Sequence, residues 1–229
     1  MANKQLYLLP GFHGSATLFD ELLQHLPNNI TPYPLGYDSA DSLDEHLENI
    51  SPQLPESGAF LLAESFSGLI ALALMARQPT RFRAAVLSCS FAVSPMMPLA
   101  KLGAKLPAIA FQQTPIKHYI LDHFCLNRVT DASLKPKVLA AISAVPASTI
   151  KRRICVLARS DLRDRLARIS TPILCLAASH DRVVPARLVK DLAHQLPNAN
   201  VKTIEGPHLL LQARPRSSAQ AISEFLSTF

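Results

Sequence analysis

Short apolar runs alternate along this chain with longer stretches whose apolar positions return every three or four residues. The first pattern is that of strands buried on both faces, and the second that of helices with one apolar side. The short runs predict strands at residues 5–9, 30–34, 59–63, 84–88, 172–178 and 200–205. Between them the longer period predicts helices at 16–26, 42–54, 66–77 and 186–196, with a closing helix at 217–226. The second helix shows the period plainly, with Leu43, Leu47, Ile50 and Leu54 on one face. Such alternation builds a mostly parallel sheet with helices on both sides, so the expected class is α/β with six strands.

The alternation fails between residues 91 and 159. That stretch is rich in Ala, Leu and Lys, is helical in character, and carries Pro95, Pro98, Pro107, Pro115, Pro136 and Pro146. Proline inside a helix removes a backbone donor and clashes with the preceding turn, so several short helices are expected. At 229 residues and 48% apolar composition, the chain suffices for one core. The expectation is a single domain, 1–229, with a helical cap or lid inserted at about 92–160.

Charged residues make up only 17% of the chain, and Pro, Lys or Glu breaks the long apolar stretches. Neither a disordered chain nor a membrane span fits that composition. Residues 1–11 pass from Lys4 into an apolar run without a basic leader or cleavage site, which gives no sign of secretion. Cys89, Cys125, Cys155 and Cys175 stand apart, with no CxxC or Cys/His spacing. Reduced thiols, no metal site and a cytoplasmic location are therefore expected. The net charge of +6 is uneven: residues 1–91 hold four Lys or Arg against nine Asp or Glu, 92–160 ten against two, and 161–229 nine against six. No RNA-binding motif, zinc finger or long basic helix accompanies the excess, so nucleic acid is not the expected partner.

Candidate chemistry concentrates where the strands end. Residues 61–74 read LLAESFSGLIALAL, an apolar strand, a sharp polar turn and an apolar helix. A serine at such an elbow stands exposed above the sheet edge with a helix N-terminus behind it, and that serine is Ser65. The usual G-x-S-x-G pattern keeps the flanking positions small; here they are Ala63 and Ser67, with Gly68 next. Alone, Ser65 reads equally well as a helix N-cap. A nucleophilic serine also needs a base and a group that fixes the base. SHDRVVP after the fifth strand places Asp181, and EGPHLL after the sixth places His208. A lone loop acid or histidine is usually just solvated. Ser, Asp and His in that order at the carboxyl ends of three parallel strands point to nucleophilic catalysis.

An acyl transfer also needs two N–H groups aimed at the oxyanion. LLPGFHGSA follows the first strand, where Gly11 lets the backbone approach closely, so the donors are assigned to the N–H groups of Phe12 and Phe66. Glu64 and His13 stand beside these positions as possible pocket residues, Glu64 held by neighbouring groups and His13 partly exposed. Cys89, at the end of the fourth strand, lacks an elbow and is not the expected nucleophile.

With LLPGFHGSA, LLAESFSGLIALAL, TPILCLAASHDRVVPARL and IEGPHLLLQARP in this order, the chain resembles the α/β-hydrolase family over nearly its whole length. The resemblance implies a triad of Ser65, Asp181 and His208 and a lid at the insertion. This chain has Pro10-Gly11 where many members have His-Gly, lacks both elbow glycines, and shows no sign of two N-terminal strands common in larger members. The implied activity is a serine hydrolase cleaving an acyl ester or thioester through an acyl-enzyme on Ser65, with no cofactor and no metal. The alternative is a protein of the same fold that binds a small molecule without catalysis.

The insertion's charge carries a further expectation. Lys101, Lys105, Lys117, Arg128, Lys151, Arg152 and Arg153 either solvate a lid or include a docking surface for an acidic partner, with Lys151, Arg152 and Arg153 as the candidate docking residues. An acidic acyl-carrier protein or coenzyme A would fit, and in lid position and charge the chain is similar to the family's carrier-protein methyl ester esterases.

Overall fold

The structure, a computed structural model, describes residues 3–112, 118–126 and 133–229. Strands β1 (Lys4–Leu9), β2 (Ile30–Pro34), β3 (Ala59–Glu64), β4 (Phe82–Ser88), β5 (Ile173–Ala178) and β6 (Ala199–Ile204) form one sheet in the order β2-β1-β3-β4-β5-β6. Each neighbouring pair runs parallel. Every residue of β3 and of β5 is buried, as a central strand with helices on both faces requires.

The period of two in each strand sorts the core into two layers. Tyr7, Leu9, Leu61, Leu87 and Cys175 face one side and pack with helices α2 (Leu43–Ile50), α3 (Ser67–Arg77) and α7 (Ala186–His194). Leu6, Leu8, Phe60, Val86 and Leu176 face the other and meet α1 (Asp20–Leu23) and α8 (Pro215–Leu226). Most of α3 is buried, so its sequence is apolar all round rather than striped.

Two helices are shorter than their periodicity predicts. At 16–26 the chain makes a 3-10 turn, Ala16–Phe19, entered by a Ser15 hydroxyl that accepts from the Thr17 N–H, before α1 begins. At 42–54 helix α2 starts under its Ser42 N-cap, whose hydroxyl accepts the Glu45 N–H, while the Glu45 carboxylate accepts the N–H of Asp41, the residue before the cap. It gives way to a 3-10 turn, Ser51–Gln53, at Pro52, which cannot donate its backbone bond.

Between β4 and β5 the described chain is helical and cut into pieces: α4 (Met97–Gly103), 3-10 turns at Ala108–Gln112 and Arg163–Arg168, a π-helical turn at Leu121–Cys125, α5 (Leu134–Ser143) and α6 (Ala147–Arg159). Pro98 lies in the first turn of α4 and Pro146 at the N-cap of α6, positions where proline is tolerated. Leu121, Leu126, Leu134 and Val138 bury themselves against Leu18 and Leu209, which fastens part of this segment to the loops after β1 and β6. Pro115, Lys117 and Arg128 lie outside the described residues. Among the described residues, no helix is long and apolar enough to cross a membrane.

Candidate active site

The sheet order reverses direction at β1, so the connections leaving β1 and β3 pass to opposite faces and open a crevice between their carboxyl ends. Ser65 follows β3 at that crevice with φ 52°, a left-handed conformation that costs a non-glycine residue about 1–3 kcal/mol. The turn is held by its backbone: the Ser65 N–H donates to Ser88 O at 2.8 Å, and the Gly68 N–H donates to Ser65 O at 2.9 Å. The Ser67 hydroxyl bridges to β1 by donating to Leu9 O (2.8 Å) and receives the Glu64 N–H (3.0 Å). A Cβ on Gly68 would stand 2.4 Å from the Ser90 Cβ, so the helix reaches this close only with glycine there.

Ser65 Oγ lies 2.9 Å from His208 Nε2, and His208 Nδ1 lies 2.7 Å from Asp181 Oδ2. The other oxygen of Asp181 accepts the N–H groups of Val183 (2.8 Å) and Val184 (2.7 Å), which pins the carboxylate in its turn. All three residues are buried. Burial pushes the His208 imidazolium down, but the charge and hydrogen bond of Asp181, helped by the charge of Glu64, outweigh it and leave the net shift upward. The three side chains are thus joined in a line, an arrangement in which a serine hydroxyl can pass its proton to an imidazole.

The loop after β1 faces the elbow, with the rings of Phe12 and Phe66 edge to face at 5.8 Å. Neither the Phe12 nor the Phe66 N–H has an acceptor among the described residues. Glu64 is buried, bonded by Gln212 Nε2 (3.2 Å) and by the Gly11 N–H, and burial raises its carboxyl above the usual range. His13 corrects an expectation: it is buried rather than partly exposed. Its Nδ1 accepts the Ser15 N–H (3.1 Å), and burial, then Arg153, lowers its pKa to about 4.

Cys89 also has a positive φ, 49°, and its sulfur, an Asp181 oxygen and a His208 nitrogen lie within 4.8 Å of one another. Burial raises its thiol well above the usual range, so it is a weak nucleophile and a poor metal ligand. Asp181 and His208 are already bonded to each other. The set suits proton transfer better than cation binding.

The docking set needs a larger correction. Arg153 is only 2% exposed, because it shares the inward stripe of α6 with Ile150 and Val156. Its guanidinium donates to Phe12 O (2.6 Å) and Tyr37 O (3.0 Å). The Lys151 ammonium bonds the carbonyls of Ala104 and Leu106 at the end of α4. Arg152 is exposed and paired with Asp41 at 3.2 Å. These three residues form no common surface. Tyr37, Gln212 and the inward role of Arg153 carry no motif that reading the sequence could have flagged.

The hydrolase family described as serine aminopeptidase, S33, matches residues 36–210. A pimeloyl-[acyl-carrier protein] methyl ester esterase of Neisseria meningitidis is 25% identical over 224 residues, covering 89% of this chain and 85% of that protein. Its namesake in Xanthomonas campestris is 26% identical and covers 97% of this chain and 94% of its own. Among solved structures, a thermophilic esterase of Thermogutta terrifontis superposes with a TM-score of 0.86 at 18% identity, over 99% of this chain and 90% of that one. A hydrolase of Pseudomonas aeruginosa does so with 0.84 at 20% identity, over 98% and 90%.

Proposed function

The chain belongs to the α/β-hydrolase family described as serine aminopeptidase, S33, and we propose that it cleaves carboxylic esters through an acyl-enzyme on Ser65. The observation that carries this reading is the continuous line from Ser65 Oγ through His208 to Asp181, at 2.9 and 2.7 Å. Ser65 Oγ attacks the acyl carbonyl as His208 Nε2 takes its proton, and Asp181 steadies the imidazolium. The N–H groups of Phe12 and Phe66 receive the oxyanion. Collapse of the tetrahedral intermediate expels the alcohol, protonated by His208, and water activated by the same base releases the acid.

Substrate class is a finer reading. The two relatives named above are methyl ester esterases for a carrier-linked acyl chain. The segment at about 92–160, read as a lid, carries exposed Lys101, Lys105 and Arg159. Both points favour a methyl ester or thioester presented on an acidic carrier or coenzyme A over a small neutral ester. Four free cysteines accord with a reducing, cytoplasmic setting.

The test is to incubate the protein with a fluorophosphonate and with 4-nitrophenyl esters and acyl thioesters. Adduct formation on Ser65, with turnover lost in Ser65→Ala, is the expected result. A folded protein that neither labels nor turns over any of these substrates would instead be a binding protein of the same fold.

A further inference from the structure

The loop that presents the Phe12 N–H is gripped from behind by two residues with no part in proton transfer. The Tyr37 hydroxyl donates to Gly11 O at 2.6 Å, with Pro10 O second at 3.2 Å, and shares Gly11 O with the loop's own Gly14 N–H at 3.0 Å. Gly11 C=O and the Phe12 N–H belong to one planar peptide unit. A donor on its carbonyl therefore fixes the direction in which the N–H points and polarises it toward an acceptor on the far side. Arg153 completes the grip. Its guanidinium lies 4.8 Å over the Tyr37 ring and donates to the next carbonyl of the loop, Phe12 O, and to Tyr37 O. Gly14, at φ 73°, leaves it room, since a Cβ there would stand 2.4 Å from the guanidinium. Tyr37 itself is buried, and burial holds its phenol protonated and able to donate.

We propose that Tyr37, backed by Arg153, is the positioning residue of the oxyanion hole: its hydroxyl aims the Gly11–Phe12 peptide at the transition state. The proposal rests on the reading of Ser65 as nucleophile and of the Phe12 N–H as donor. Tyr37 touches no reacting atom and acts on the rate only through that peptide.

Tyr37→Phe removes the hydroxyl and keeps the ring. The expected loss in kcat on a 4-nitrophenyl ester is roughly 10- to 100-fold, short of the ~10²- to 10³-fold cost of deleting an oxyanion donor outright. KM and the acid limb of the pH profile should stay in place. A trifluoromethyl ketone reports on the hole directly: Ser65 Oγ bonds its carbonyl carbon, the proton passes to His208, and the alkoxide occupies the oxyanion position. Its affinity should weaken by the same factor as kcat/KM. Arg153→Lys, which keeps the charge but loses the forked donor, should give a smaller loss of the same kind. Wild-type kcat in Tyr37→Phe overturns the proposal, and so does a loss of kcat with unchanged ketone affinity. If the parent protein forms no fluorophosphonate adduct at Ser65, the underlying reading falls and the proposal falls with it.

Discussion

The ends of the strands and the segment between β4 and β5 carry most of the polar residues discussed above, yet their sequences convey different amounts of information. At the strand ends the backbone dictates position: parallel ladders fix where each strand stops, so Ser65, Asp181 and His208 must arrive at one edge. In the segment between β4 and β5, short helices pack by whichever face finds apolar partners, and adjacent cations go different ways. Lys151 closes the end of α4, Arg152 meets Asp41 near solvent, and Arg153 is buried against the loop after β1. The counted charge of a segment is therefore no measure of its exposed charge.

The sharpest way to test the first region is at Ser65, the proposed nucleophile. Ser65→Ala should lower kcat by as much as ~10⁶-fold, the scale on which a serine of this kind acts, with an unchanged circular dichroism spectrum. Ser67→Ala, two residues on, should cost far less. Asp181→Asn should lower kcat by about 10⁴-fold, and it carries a pH signature. His208 must be neutral to accept a proton, and its pKa is raised in the folded protein. The acid limb of kcat/KM should therefore lie above the ordinary imidazole value of about 6.5. Removing the Asp181 charge leaves burial in control, so the limb should move to lower pH even as the rate falls.

The second region separates by stability. Arg153→Met strands the buried Tyr37 carbonyl and the part-buried Phe12 carbonyl, and should destabilise the fold by about 2–4 kcal/mol in urea titrations. Arg152→Met, its neighbour in sequence, breaks only an exposed pair and should cost under about 1 kcal/mol. Equal losses would erase the contrast between the buried and the exposed arginine. The smallest effect is kinetic. Lys101→Glu with Lys105→Glu should slow kcat/KM several-fold on a carrier-bound or coenzyme A substrate at low salt. The difference should fade as salt shortens the screening length to about 8 Å at 0.15 M, with a neutral ester unaffected.

All six strands were legible because their apolar runs are bounded by turns and leave no second register. Helix ends were less so: Pro52 ends α2 earlier than the leucine period suggests, and a local Ser15 cap turns 16–19 into a 3-10 turn. The placement of Ser65, Asp181 and His208 was read from strand order. The support around them was not, because the bonds from Tyr37 to Gly11 and from Gln212 to Glu64 span long sequence separations without any local pattern. Arg153 misled for the same reason, since a cation written among cations reads as solvated.

The grip of Arg153 on Phe12 and Tyr37 also bears on how the molecule opens. Helix α6 and the loop after β1 lie far apart in sequence, but neither can detach without exposing a guanidinium and two carbonyls left unpaired. They should unlock as one cooperative unit, with amides around Phe12 and those of α6 sharing one hydrogen-exchange rate in native conditions. Arg153→Met should release the loop amides to a faster rate of their own.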